Sequence, residues 1–290
     1  MWLLRSLTMA FVLTATAALA QTPSIAPNPQ IEIAYEPPAN PAFVHIYQRL
    51  TARKVLETLA QFLAPLKLDG KLTVKIDQCG AKARRYDRAQ RLATLCYEYI
   101  DEVERLAPKS TVVLVQGPVT TDSAIVGPVV QSLLHEVAMA AFDILAVPVW
   151  GRLDDAADRV AAFVMVQFGA NVAWNTIVGT AWFLSGTATN APDYSDVRGT
   201  VAQRYYTTLC LAYGREQVEG NTVRQGNVFQ PFVSESDNSQ TGNLPISRAR
   251  GCSYEYLLMK QAFNDTIMPH LDQALLKQVA GAPWINFSTR

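Results

Sequence analysis

The chain has 290 residues, of which 49% are hydrophobic, so it can bury the core of one large domain or two small ones. Its 25 basic and 25 acidic side chains balance to a formal net charge of zero. A neutral chain has no electrostatic preference for nucleic acid or for an anionic membrane, which excludes both as predicted partners.

The N-terminus has the pattern of a secretory signal peptide. Arg5 precedes an apolar run from Leu7 to Leu19, and Ala18-Leu19-Ala20 forms a cleavage site of the small-x-small type. The run is short for a membrane-spanning helix and no stop-transfer pattern follows, so an uncleaved anchor is the weaker alternative. We predict a signal peptide over residues 1–20, a secreted or periplasmic protein, and no membrane span after cleavage.

Six prolines between residues 21 and 42 predict an extended or disordered linker. Residues 43–290 are interpreted as a single domain. Within it, residues 43–192 form the N-terminal part with the motif helix described below, and residues 193–290 form a C-terminal helical part.

The N-terminal part is predicted to mix helix and strand. Apolar residues at three- and four-residue spacing predict a helix over 42–66, and alternation predicts a strand at Leu72–Ile76. The segment Cys96–Ile100 is predicted to be a short strand or a turn that leads into a helix. For Thr111–Val115 the pattern does not decide between a strand and an early helical turn.

A central apolar helix is expected to begin near Pro128, because proline suits the first helical turn, and to end at Pro148 and Gly151. Further helices are predicted, in chain order, over 153–168, 172–184, 201–213, 252–263 and 268–280. Residues 214–246 are rich in Gly, Asn and Ser, which is typical of a long loop or a poorly ordered insertion.

The chain has four cysteines, Cys79, Cys96, Cys210 and Cys252. An even number in an exported chain predicts two disulfide bonds, for which three connectivities exist. We expect the pairs nearest in sequence, Cys79–Cys96 and Cys210–Cys252. The alternative is a metal site made by four thiolates, which the lack of any CxxC spacing disfavours.

The central helix carries the segment His135-Glu136-Val137-Ala138-Met139. In the zinc-peptidase pattern HExxH, two histidines on one helical face bind Zn²⁺, and the adjacent glutamate acts as a general base on the metal-bound water. Here Met139 occupies the place of the second histidine. The next predicted helix begins with acidic residues, of which Asp154 and Asp158 share a face.

Each of these features also has an ordinary structural explanation. A histidine on an apolar helix is more often a core residue with satisfied hydrogen bonds than a ligand. Acidic residues in a first helical turn are favoured by the helix dipole. The wider sequence context has to decide between the two interpretations.

These segments together resemble a family of exported bacterial metallopeptidase-like proteins that is catalogued mainly as a domain of unknown function. The resemblance covers most of residues 45–275. Besides the motif helix and the acidic run, it includes the segments Cys79-Gly80, Tyr86-Asp87, Cys96-Tyr97-Glu98, Gln203-Arg204-Tyr205-Tyr206 and Arg248-Ala249-Arg250-Gly251-Cys252. It implies an α+β, mostly helical, zincin-like scaffold with a small N-terminal sheet, and it supports the two expected cysteine pairs.

Residue by residue, the resemblance implies that His135 is the first zinc ligand and Glu136 the general base. Asp154 stands at the position of the third ligand, where the family has glutamate, and Asp158 matches the carboxylate that orients a ligand histidine. Met139 and Asp154 depart from the family's pattern. A thioether suits Cu(I) better than Zn²⁺, and aspartate is one methylene shorter than glutamate, so we expect impaired zinc binding and impaired catalysis.

Three hypotheses follow. The first is a metallopeptidase-like protein with a degenerate HExxM site that binds a peptide or an envelope protein. The second is an active metal-dependent peptidase with a non-standard ligand set, in which His45 or His270 supplies the missing imidazole. His45 also fits a half-buried structural position on an apolar helical pattern, and His270 fits a capping or exposed position near a helix start. The third is an unrelated structural protein whose motif helix is only core.

Overall fold

The computed structural model describes residues 25–81, 83–114, 117–188, 194–220, 228–234, 244–280 and 282. The predicted signal peptide, residues 1–20, lies outside them. The described chain is an α+β fold and mostly helical, as the sequence predicts.

The described strands, in chain order, are β1 (Ile31–Tyr35), β2 (Leu72–Asp77), β3 (Arg84–Asp87), β4 (Leu92–Cys96), β5 (Val112–Leu114), β6 (Gly117–Val119), β7 (Val233–Ser234) and β8 (Leu244–Pro245). The described α-helices are α1 (Val44–Ala52), α2 (Val55–Phe62), α3 (Tyr97–Leu106), α4 (Thr121–Ile144), α5 (Leu153–Met165), α6 (Ala170–Thr187), α7 (Val201–Glu219), α8 (Ile246–Ala249), α9 (Cys252–Thr266) and α10 (Gln273–Ala280).

A four-stranded sheet in the N-terminal part has the strand order β1-β2-β4-β3. Strands β1, β2 and β4 are parallel, and β3 pairs antiparallel with β4. In β2, Leu72, Val74 and Ile76 are buried and alternate with partly exposed residues, so one face of this strand packs on the core. The small N-terminal sheet that we expected is therefore present.

Strand β1 lies within residues 21–42, which the sequence analysis assigned to a linker. Its residues Ile31–Tyr35 pair in register with Leu72–Ile76 of β2. The prolines that indicated a linker flank this strand and do not interrupt it, so its ladder of hydrogen bonds remains intact. These residues belong to the sheet, and the linker prediction was wrong for them.

The structure decides between strand and helix for two segments that the sequence left open. Strand β4 ends at Cys96, and α3 begins at the next residue, Tyr97. Residues Val112–Leu114 form a strand that pairs antiparallel with β6. Short strands of this kind depend on a partner, which the sequence pattern does not identify.

Helix α4 begins at Thr121, several residues before the expected start near Pro128. Thr120 and Ser123 form a capping box, in which Thr120 Oγ1 accepts from the Ser123 N–H at 3.0 Å and Ser123 Oγ accepts from the Thr120 N–H at 2.9 Å. Pro128 therefore lies inside the helix, where it lacks an N–H to donate to the preceding turn. The capping box is the true start signal, and the proline prediction was wrong.

Among the described residues, α4 is the one helix long and apolar enough to cross a membrane by length and composition. In the folded protein 78% of its most apolar window is buried. Core helices of soluble proteins pass the same test, so the finding is weak evidence for a membrane span.

Helices α4 and α6 approach each other closely at two glycines. A Cβ atom at Gly179 would overlap the backbone carbonyl oxygen of Ser123, and one at Gly127 would lie 2.8 Å from the backbone nitrogen of Thr180. The two backbones can pack at this distance only because these positions have no side chain. The contact anchors the N-terminal half of α4.

In the C-terminal part, α7 continues to Glu219 and so extends beyond the predicted end at Tyr213. The first residues of the predicted loop 214–246 are therefore helical, and much of the remainder lies outside the described residues. Disulfide bonds join Cys79 to Cys96 and Cys210 to Cys252, which confirms both expected pairs.

Candidate active site

Helices α4 and α5 bring together the four polar residues that the sequence singled out. His135 and Glu136 lie on α4, and Asp154 and Asp158 lie one turn apart on α5. His135, Glu136 and Asp158 are buried, whereas the Asp154 side chain is 24% exposed. Asp154 is therefore the one of the four that reaches solvent.

The imidazole of His135 lies between the two aspartates. Its Nδ1 is 2.7 Å from Asp158 Oδ1, and its Nε2 is 3.5 Å from Asp154 Oδ1. A carboxylate bonded to one ring nitrogen fixes the ring and its tautomer and leaves the other nitrogen for a ligand. The hydrogen bond from His135 holds the pKa of Asp154 below its usual range.

Asp158 is the centre of a buried charge cluster. Its Oδ2 accepts from Arg204 Nε at 2.6 Å, and its Oδ1 accepts from Arg84 Nη2 at 3.1 Å and from Gln131 Nε2 at 2.6 Å. Burial alone would raise the pKa of Asp158. Arg204, His135 and Arg84 outweigh burial and hold that pKa well below its usual range, so Asp158 is charged at neutral pH.

Arg84 and Arg204 are functional-site residues that no motif in the sequence predicted. Arg84 lies on β3 and Arg204 on α7, far from Asp158 along the chain. Arg204 lies in the segment 203–206, which resembles the family's sequence, and this resemblance is the one feature of the sequence that could have indicated a role for it. No spacing rule connects a strand arginine to an acid on a distant helix, so only the folded chain reveals these pairs.

Glu136 is almost enclosed by protein. Its Oε1 lies 3.5 Å from Arg84 Nε and 3.8 Å from His135 Nε2. Burial raises the pKa of Glu136 to about 7, although the neighbouring His135 and Arg84 both oppose the shift. A carboxyl group with this pKa can take up or release a proton at neutral pH, as a general base must.

Met139 follows His135 by one helical turn and is partly buried. It packs against an apolar cluster formed by Ala138, Phe142 and Ala157. Val149, in the connection between α4 and α5, packs against the same cluster. The thioether therefore has an ordinary packing role at the position where the motif requires an imidazole.

The other two histidines have contacts of their own. His45 Nε2 pairs with Glu104 Oε2 at 3.1 Å, and the His45 side chain is 57% exposed. His270 ends a short 3₁₀ helix between α9 and α10, where its backbone carbonyl accepts from the Lys67 N–H at 2.8 Å. These contacts give no support to either histidine as a substitute for the missing ligand.

The residues present do not fit a catalytic zinc site, which takes three protein ligands. His135 Nε2 and the Asp154 carboxylate are two donors that face each other. Asp158 is bonded to both arginines, and the soft sulfur of Met139 is a poor ligand for Zn²⁺.

One other group of potential metal ligands occurs in the described part of the chain. It consists of Cys79, Cys96 and Glu98. The two sulfur atoms form a disulfide bond, so they are not thiolates. This cluster does not replace the missing ligand of the α4–α5 site.

A family model described as "Putative metallopeptidase" matches residues 35–267. No curated protein and no solved structure matches. At the level of the family, the match supports a peptidase-like function and indicates a metal, with zinc the expected ion. Because the match covers most of the chain, the protein belongs to this metallopeptidase family.

Proposed function

We propose that the chain is an exported, catalytically impaired member of the metallopeptidase family, and that it binds a peptide or an envelope protein without hydrolysing it. The observation that carries this proposal is the environment of Met139. Its side chain packs in an apolar cluster, so the facing donors are reduced to His135 and Asp154. Two ligands hold zinc much more weakly than three.

The charge balance of the site supports the same conclusion. Arg84 lies within 3.5 Å of both Glu136 and Asp158, and Arg204 pairs with Asp158. These guanidinium groups supply positive charge to buried acids that would otherwise be costly to ionise. The cluster is therefore electrostatically balanced by the chain's own residues.

Export is supported by the cysteines. Two disulfide bonds are typical of proteins in an oxidising compartment, such as the bacterial periplasm or the extracellular space. In such a compartment, peptides and envelope proteins are the partners that a retained peptidase scaffold would meet.

The proposal is tested by measuring metal content and peptide turnover on the exported, purified protein. We expect well under one zinc per chain after dialysis against zinc-free buffer. A library of quenched fluorescent peptides incubated with the protein is expected to stay intact, and peptides retained by the immobilised protein are expected to be recovered uncut.

An active peptidase with a non-standard ligand set is the second candidate, and one distance favours it. Nε2 of His135 and Oδ1 of Asp154 are 3.5 Å apart, close to the separation of two ligands on one tetrahedral zinc, roughly 3.4 Å for bonds of about 2.1 Å. About one tightly held zinc per chain, with peptide cleavage that Glu136→Gln abolishes, would establish this candidate and refute the first.

A further inference from the structure

A second cavity lies away from the charged site, between α2, α4, α5, α9 and α10. Its volume is about 450 Å³, within the range of roughly 300–1,000 Å³ that small-molecule sites occupy. Apolar side chains form most of its wall, including Leu134, Val137, Val164, Phe263 and Ile267. Such a wall suits a hydrocarbon chain.

Helix α4 separates this cavity from the charged site. Leu134, Val137 and Ala141 line the cavity, whereas His135 and Glu136 contact Asp154 and Arg84. The helical repeat of 3.6 residues places these two sets on different faces of α4. A ligand in the cavity would therefore be independent of any metal.

Aromatic rings pack against each other along one wall of the cavity. The ring of Phe163 lies 5.6 Å from that of Tyr256 and 5.0 Å from that of Phe263, centroid to centroid. Phe62 and Phe168 form a second pair at 5.2 Å. Aromatic pairs at these separations attract each other, which favours this arrangement of the wall.

Polar groups gather at one part of the lining. Glu219 Oε1 accepts from Lys260 Nζ at 2.7 Å and from the Tyr256 hydroxyl at 2.8 Å. Arg215 Nε lies 3.4 Å from the other oxygen of Glu219. Lys260 and Arg215 thus both contact the Glu219 carboxylate, and Arg215 also interacts with Glu216.

Lys260 can donate to a second acceptor besides Glu219. An ammonium has three N–H donors, and the bond to Glu219 takes one of them. The Lys260 side chain is 43% exposed and lines the cavity. Its remaining donors can therefore meet a carboxylate whose hydrocarbon chain lies along the apolar wall.

We propose that this cavity binds an amphipathic monocarboxylate of the fatty-acid type, with its chain among the α4, α5 and α9 side chains and its carboxylate on Lys260. The proposal does not depend on the loss of the metal. It adds a ligand to a part of the fold for which the family assignment implies none.

The test is a fluorescence titration of the full-length exported protein with 11-(dansylamino)undecanoic acid, followed by displacement with dodecanoic acid or 1-dodecanol. We expect saturable one-to-one binding. Lys260→Gln is expected to weaken dodecanoic acid about tenfold, as the loss of a charge-assisted hydrogen bond predicts, and to leave 1-dodecanol unchanged. Glu219 can keep its contacts with Tyr256 and Arg215 in this variant, so we expect the fold to be retained.

Three further variants complete the test. Lys277→Gln on α10 is the matched control, because this exposed lysine does not line the cavity, and we expect no change. Val164→Trp should fill the cavity and abolish binding of both competitors. If it does not fold by circular dichroism, Ala280→Trp at the exposed rim replaces it.

Several outcomes would overturn the proposal. They are the lack of saturable binding, equal weakening of acid and alcohol by Lys260→Gln, and full binding by the filled-cavity variant. A chain that ends at Ala282 and binds when the full chain does not would also overturn it. That result would make the chain's own last residues the occupant.

Discussion

The imidazole Nδ1 of His135 lies 2.7 Å from Oδ1 of Asp158, across the interface between α4 and α5. This contact turns Nε2 toward Asp154 and fixes the ring in one orientation. The ring of His135 is therefore held in one orientation, and Met139 lies one turn further along the same helix.

Restoring the missing ligand should restore zinc binding. In the double variant Met139→His and Asp154→Glu, both positions take the residue types that the family pattern has, one on α4 beside His135 and one on α5 facing it. We expect elemental analysis to find about one zinc per chain in this variant. We also expect calorimetric titration with zinc to show saturable binding by the variant and none by the unmodified protein.

The control for this gain is the same double variant with His135→Ala, which should lose the metal again. Zinc bound equally well with and without His135 would mean that the metal lies elsewhere. No zinc in the double variant would contradict the view that α4 and α5 retain a peptidase site.

Asp158 should matter for stability more than any surface acid. The change Asp158→Asn removes the charge that both buried arginines share, and breaking such a buried pair costs about 3–5 kcal/mol. Urea denaturation followed by circular dichroism measures the loss. The matched control is Asp196→Asn, whose surface pair with Arg198 should contribute less than about 1 kcal/mol.

Glu136 should make the protein less stable as the pH rises. Its pKa in the folded protein is about 7, above its ordinary value of 4.5, so the folded state holds a proton that the unfolded state has released between these values. Stability from this group is complete below pH 4.5 and is lost as the pH rises through 7, by up to about 3 kcal/mol.

The measurement is the urea midpoint from pH 4.5 to pH 8 for the unmodified protein and for Glu136→Gln. Glutamine mimics the protonated acid and does not titrate, so the variant should lack this decline. Parallel curves for the two proteins would show that the pKa of Glu136 is not raised.

The crossing of α4 and α6 should not tolerate a methyl group at Gly179. Alanine there would overlap the Ser123 carbonyl and push the helices apart, at a cost of about 3 kcal/mol. Gly186 in the same helix is the control, because its added Cβ would lie 3.9 Å from Leu106. Gly186→Ala should be neutral or slightly stabilising, and thermal melts compare the two variants.

Local patterns in the sequence predicted much of the fold. The alternation in Leu72–Ile76 gave a correct strand, and cysteine spacing gave both disulfide pairs. The start of α4 was predicted wrongly because Pro128 was preferred to the capping box at Thr120 and Ser123. Strand β1 was missed because a five-residue strand forms only when a neighbouring strand supplies its hydrogen bonds.

The sequence by itself determined the chemical identity of the site. It determined that Met139 stands where the motif has histidine. It also determined that Asp154 and Asp158, four residues apart, share one helical face. These are properties of spacing, and a helix of fixed repeat converts spacing into position. The family resemblance, and not this rule, implied that His135 meets Asp154 and Asp158, because helical spacing alone does not bring two helices together.

Only the tertiary structure decided how the buried charges are balanced. Arg84 arrives on a strand and Arg204 on a helix, and both reach Asp158 across the core. The strength of such pairs depends on burial and on distances between atoms that are remote in sequence. For the same reason, the raised pKa of Glu136 and the apolar packing of Met139 belong to the fold and cannot be derived from the motif.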